Sequence, residues 1–145
     1  MPRTKNLTRF VLLPEVNFIS SRKAGKAHTV IEGEKQSACE VCPKCATPSF
    51  WVYDRRKVKI KDSPIRGVSV RLQITKRRFY CKTCRKPFTE PLPGVGKGHR
   101  TTQRYRKEVL WAAENFSNLK QVRRAYRCST AFLYKILYEQ LELRV

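Results

Sequence analysis

Cys42-Pro43-Lys44-Cys45 and Cys81-Lys82-Thr83-Cys84 are the stretches on which the fold turns. Each is a C-x-x-C knuckle. Two residues between paired cysteines let one tight turn aim both sulfurs at one ion. Two knuckles supply four thiolates, the complement of a closed, tetrahedral, structural Zn²⁺ site. The gap between them is longer than the usual finger gap, so it has to hold a β-hairpin or small sheet. A disulfide framework needs an oxidising compartment, and no export signal is found. A thioredoxin-like C-x-x-C belongs in a βαβ pattern, which is not seen. Cys39, three residues before Cys42, leaves the register open: Cys39 and Cys42 are an alternative first pair, with Cys45 spare. Pro43 is pre-set for the knuckle turn, which favours Cys42 and Cys45. The expected ligands of one structural zinc are therefore Cys42, Cys45, Cys81 and Cys84.

The chain has 145 residues and a formal net charge of +21, from 32 Lys+Arg against 11 Asp+Glu. That length gives one domain or two very small ones, with a core thin enough to need a metal staple. Charge of this sign seeks phosphate, nucleic acid before membrane surface. No segment reaches the roughly 18 apolar residues of a spanning helix. Phe10-Val11-Leu12-Leu13 is cut at once by Pro14 and Glu15 and is no signal-peptide core. Free thiols without an export signal point to a reducing, cytoplasmic setting.

In chain order, Met1–Arg9 reads as a solvated basic tail, and Phe10–Phe18 as a short β element around Pro14. Ser20–Glu40 is polar and weakly patterned, with His28 at the surface. Phe50-Trp51-Val52-Tyr53 is an aromatic strand whose rings are expected in the core, base stacking being the alternative. From Lys57 the chain alternates: Lys57, Lys59 and Lys61 on one face, Val58 and Ile60 on the other, a half-buried strand with a basic outer face. Asp62-Ser63-Pro64 signals a turn and Gly67 a bend. Val70, Leu72 and Ile74 define a second strand running into the second knuckle. Its apolar phase slips between Ile74 and Phe79, which predicts a bulge or a strand end. Phe88 is expected under the second knuckle.

Pro91–Gly98 breaks both helix and strand, and His99 at its end is not needed as a ligand. Beyond it the period becomes helical. Thr101 or Thr102 caps a first helix with Tyr105, Val109, Ala112 and Phe116 inward and Trp111 off the stripe. Ser117 or Asn118 caps a second, Leu119–Tyr126. Ser129 caps a third running to about Leu141, with Leu133, Ile136, Leu137 and Leu141 inward and Cys128 in the core. This is a helix-turn-helix pattern. Lys120, Arg123, Arg124, Arg127 and Lys135 crowd its outer faces. The fold class is thus α+β: residues 1–38 a basic tail and short β element, 39–90 a zinc-ribbon-like unit, 91–100 a Pro/Gly linker, 101–145 a helix-turn-helix.

The order of these features resembles the N-terminal half of bacterial insertion-sequence transposases of the ISL-three family. The match rests on Leu12-Leu13-Pro14, the first knuckle, Val52-Tyr53-Asp54-Arg55-Arg56, Pro64-Ile65-Arg66-Gly67, Arg77-Arg78-Phe79-Tyr80-Cys81, Phe88-Thr89-Glu90 and Leu92-Pro93-Gly94. The resemblance implies a four-cysteine zinc domain, a helix-turn-helix and, further on, a DDE catalytic domain. It supports Cys42 over Cys39 as the first ligand. It departs at Ala46 and Arg127, where glycine is usual. The carboxylate triad has no room in these residues, so strand cleavage is not expected of them.

The function this implies is non-enzymatic, sequence-specific binding of double-stranded DNA, at the terminal inverted repeats of a transposon. Oligomerisation, or association with a full-length transposase, is an expected further partnership. An RNA-binding or ribosome-associated zinc ribbon, or a zinc-dependent transcriptional regulator, is the alternative. Arg55, Arg56, Lys57, Lys59, Lys61, Arg77, Arg78, Lys120, Arg123 and Arg124 are candidate phosphate contacts. Thr130, Ala131, Tyr134, Lys135 and Tyr138, on the outward face of the third helix, are candidate base readers.

Overall fold

The computed structural model describes residues 16–25, 28–65 and 67–144. The expected basic tail at 1–9, and the part of the first β element before Val16, lie outside the described residues. The centre of the molecule is a long antiparallel hairpin. Its strands are β5 (Val52–Ile65) and β6 (Val68–Cys81), each of 14 residues. The alternation seen in sequence is real: Ile60, Val70, Leu72 and Ile74 are buried on one face while Lys57 and Lys59 are exposed. The hairpin reverses at Gly67, whose φ of +77° favours a residue without a Cβ.

Two local expectations change. Asp62-Ser63-Pro64 is not the turn but lies inside β5, where the register slips between Asp62 and Ile65. The Asp62 carboxylate is held there by groups from the helical part, described below. The phase slip leaves Phe79 on the opposite face of β6 from Ile74, and the bulge falls in the partner strand instead. Val52 faces Phe79 and Asp54 faces Arg78, so Tyr53 is the extra residue of a bulge and β6 continues unbroken.

The polar Ser20–Glu40 stretch also differs. It contributes to two strands, β1 (Val16–Lys23) and β2 (His28–Lys35), paired antiparallel. β2 then lies parallel to β6, giving the order β1-β2-β6-β5. Long-range pairing overrides weak local propensity here. Gly33 lets the Phe18 ring close on β2: a Cβ there would stand 2.9 Å from the ring. One apolar cluster joins Val16, Phe18, Ile31, Ile60, Val70, Leu72 and Ile74 to Leu92. So residues 16–35 share a sheet and a core with the cysteine unit. The Pro/Gly stretch is packed too. Leu92 caps the core, Lys35 Nζ donates to the Pro91 carbonyl at 3.0 Å, and Val95 bridges Thr102.

Two short strands, β3 (Glu40–Val41) and β4 (Pro48–Ser49), flank the first knuckle, and β7 (Lys86–Thr89) pairs with β6 after the second. Phe88 stacks on the buried Phe79 at 6.0 Å, as expected beneath the second knuckle.

Three helices follow: α1 (Gln103–Asn115), α2 (Leu119–Tyr126) and α3 (Thr130–Arg144). Their caps are the expected ones. Thr102, Asn118 and Ser129 accept backbone N–H bonds from Tyr105, Gln121 and Phe132. Tyr105, Val109, Ala112, Val122, Leu133 and Ile136 form a second core, with Phe116, Leu137 and Cys128 packed against it. Leu141, expected inward, is 55% exposed. The protein is therefore α+β, mostly sheet before residue 100 and helical after it.

The two parts are pinned together at β5. Lys61 N–H donates to the Arg100 carbonyl and Thr102 N–H to the Lys61 carbonyl. The buried Asp62 carboxylate accepts from Thr102 Oγ1 at 2.7 Å and from the Arg104 guanidinium at 2.6 Å.

Candidate metal centre and nucleic-acid interface

Each knuckle sits at the tip of a β-hairpin, the first between β3 and β4, the second between β6 and β7. The backbone closes each tip in the same way. The residue after each second cysteine turns left-handed, Ala46 at φ 57° and Arg85 at φ 56°. At Ala46 this is the strain expected where glycine is usual. Cys42 N–H donates to the Thr47 carbonyl and Ala46 N–H to the Cys42 carbonyl. Cys84 N–H points at Cys81 Sγ, 3.4 Å away.

The sulfurs of Cys42, Cys45, Cys81 and Cys84 all lie within 4.8 Å of one another. Cys42–Cys84 and Cys45–Cys81 are 3.9 and 3.4 Å apart. A tetrahedron with Zn–S bonds of about 2.3 Å needs edges of roughly 3.8 Å, so the donor set fits the ion in number, softness and spacing. Among the described residues this is the only group of three or more His, Cys, Asp or Glu so placed, and Cys39 is not part of it. Bonds from Thr47, hydroxyl first, hold the Cys45 thiol down at about 6, while hydrogen bonding from Cys45, then burial, pushes Cys84 up to about 12. Four crowded thiolates repel, and a divalent cation is what lets all four ionise together. The cofactor is one structural zinc.

The candidate phosphate contacts divide into two groups. Arg55, Arg56, Lys57 and Lys59 stand exposed on β5. Lys61, Arg77 and Arg78 each make contacts within the protein. Lys61 Nζ donates to the Arg127 carbonyl and lies 5.3 Å from the Tyr105 ring centroid. Arg77 grips the buried Glu90 carboxylate at 3.0 and 3.2 Å and donates to the Ser37 carbonyl and hydroxyl. Arg78 makes a two-bond pair with Asp54 across the hairpin and covers the Tyr53 ring. Its guanidinium holds the Asp54 carboxyl below the usual carboxylate range.

On the helices the expected residues all face outward: Lys120, Arg123 and Arg124 on α2, and Thr130, Ala131, Tyr134, Lys135 and Tyr138 on α3. α2 ends on Arg127 at φ 51°, the left-handed position where glycine is usual. Arg127 also reaches His28 Nε2 at 3.2 Å.

One basic feature was not foreseen. A cleft of about 450 Å³ runs beside β5, lined by Lys57, Lys59, Lys76, His99 and Arg100 and by no acidic residue. Burial lowers the Lys76 ammonium below the usual lysine range. The signal was available: Lys76 keeps the inward phase of Val70, Leu72 and Ile74, so a cation stands where an apolar residue is due.

With this geometry in place, the comparison with known proteins is specific. Residues 40–84 match the family model described as the zinc-finger of transposase IS204/IS1001/IS1096/IS1165. The matched segment runs from β3 through the second knuckle and contains all four ligands. No curated protein and no solved structure matches the chain. Among the described residues no helix is long and apolar enough to cross a membrane.

Proposed function

We propose that this protein binds double-stranded DNA in a sequence-specific way, as the end-recognising portion of a transposase or a regulator derived from one. The observation that carries the proposal is the zinc finger of transposase type at 40–84, joined to a helical unit whose outward face is basic. In this reading α2 and α3 form a helix-turn-helix, linked by Arg127-Cys128-Ser129. α3 enters the major groove and presents Thr130, Ala131, Tyr134, Lys135 and Tyr138 to base edges. Lys120, Arg123 and Arg124 meet the flanking phosphates. On the sheet, Arg55, Arg56, Lys57 and Lys59 extend the phosphate track, joined by Lys76 and Arg100 of the basic cleft. Phosphate contacts set position and base contacts set sequence. Zinc supplies no chemistry in this scheme; it ties the β3/β4 tip to the β6/β7 tip. The terminal inverted repeats of an insertion element are the proposed target.

Selection from a pool of randomised duplexes tests the reading. It should enrich one motif. Binding to that duplex should survive competition from structured RNA and weaken steeply with salt, as counterion release requires. A pool that stays random, or RNA that displaces the duplex at equal concentration, overturns it.

A further inference from the structure

Phe50, Trp51 and Tyr53, expected in the core, are 74%, 56% and 55% exposed. Trp51 and Tyr53 do not hang loose. Tyr80 on β6 organises them: Trp51 meets its ring edge-on at 5.4 Å and Tyr53 stacks on it at 6.4 Å. Tyr80 N–H donates to the Trp51 carbonyl at 3.0 Å, and Ser49 Oγ donates to the Tyr80 carbonyl at 2.6 Å. The Trp51 and Tyr53 rings are thus held against β6 at the knuckle end of the hairpin, with Phe50 and Trp51 in the link between β4 and β5, and ordering these two rings costs a ligand little entropy. Beside them opens a cleft of about 430 Å³, lined by Phe50, Trp51, Tyr80, Lys82 and the Thr47–Ser49 segment. Its size falls in the range of small-molecule sites. It holds one cation and no carboxylate.

We propose that this aromatic ledge stacks an unpaired nucleobase, with Lys82 taking the adjoining phosphate. An apolar protein partner would fit three rings as well, but not their setting. The ledge lies on a chain of net charge +21, with Lys82 in its cleft and Arg78 over Tyr53. Aromatic faces interleaved with cations are the means by which proteins hold unpaired bases whatever their sequence. A site of this kind suits an extrahelical or frayed base at the edge of a duplex. The inference goes beyond duplex recognition and rests on the proposed function only for nucleic acid as the partner class.

The test uses the zinc-loaded full chain carrying Trp111→Phe, which leaves Trp51 as the sole indole of the two. The probes are a blunt duplex and the same duplex with one bulged thymine. The bulged duplex should quench Trp51 emission and the blunt one should not. Trp51→Ala should cost the bulged duplex roughly fivefold to a hundredfold in affinity, with blunt-duplex affinity and zinc content unchanged. Phe50→Ala, measured the same way, serves if Trp51→Ala loses zinc. Equal losses on both duplexes, or unquenched Trp51 with the bulge bound, overturn the proposal. So does emission that shifts with protein concentration alone, since a second copy would then cover the ledge. Failure of the unmodified chain to bind either duplex would instead sink the proposed function.

Discussion

The β5/β6 hairpin and the α2–α3 pair carry comparable runs of lysine and arginine, yet they use them differently. On the hairpin, a partner strand brings carboxylates alongside. Arg78 faces Asp54 across the ladder and Arg77 meets Glu90. On the helices, Lys120, Arg123, Arg124 and Lys135 are exposed and make no ion pair among the described residues. Positive charge counted along a sequence is therefore not positive charge offered to a ligand. A sheet can consume its cations in its own cross-strand pairs; a three-residue turn between two helices leaves theirs outside. The two regions differ in what holds them as well. The helices have their own apolar core, whereas the knuckle end of the hairpin depends on four sulfurs and an ion.

The largest expected effect follows from that dependence. A structural zinc contributes on the order of 10–16 kcal/mol of apparent binding free energy, and this is folding free energy. Cys42→Ser or Cys84→Ser should abolish the one-to-one zinc stoichiometry and the order of the knuckle end. Far-ultraviolet helical signal from α1–α3 should largely persist. Cys39→Ser should leave zinc content unchanged; loss of metal in that variant would refute the ligand set.

The next effect separates tied cations from free ones. Arg77→Ala strips the buried Glu90 carboxylate of its guanidinium, leaving the backbone N–H of residue 77 at 2.8 Å, and should cost about 3–5 kcal/mol in denaturant unfolding. Arg55→Ala, on the exposed edge, should stay within about 0.5 kcal/mol. Equal costs would erase the distinction.

The smallest effect is the pH response of the Asp54–Arg78 pair. The carboxyl is depressed by its bond from Arg78, so the folded state favours the ionised form. The pair's contribution is present above the ordinary carboxylate range and is lost as pH falls through the lower folded value. Melting temperatures of the parent chain and Asp54→Asn should differ slightly near neutral pH and converge in strong acid. A difference that grows on acidification would contradict the sign.

What the sequence disclosed was local. Knuckle spacing, with Pro43 favouring Cys42 and Cys45 over Cys39, pointed to the four ligands, and cap residues with a 3.6-residue apolar period placed the helices nearly to the residue. What it hid was non-local. Val30 and Ile31 gave no strand signal strong enough to announce their parallel partners Arg71 and Leu72, so β1 and β2 went unseen. The carboxylates that consume Arg77 and Arg78 lie across a ladder or beyond the second knuckle. Trp51 and Tyr53 looked like core residues, because aromatic strands usually are. Here the sulfur cluster takes the place a small core would fill at that end, and the rings stay outside.

The central claim is that sheet cations position the protein on DNA while α3 reads the sequence. Fluorescence titrations of Lys59→Ala and Lys135→Ala test it most directly, on the enriched duplex and a scrambled one, over a series of salt concentrations. Lys59→Ala should weaken both duplexes alike and flatten the salt dependence by roughly one unit of slope. Lys135→Ala should narrow the gap between the two duplexes by on the order of 1–3 kcal/mol. Equal losses on both duplexes for Lys135→Ala would contradict the account, leaving α3 a backbone clamp.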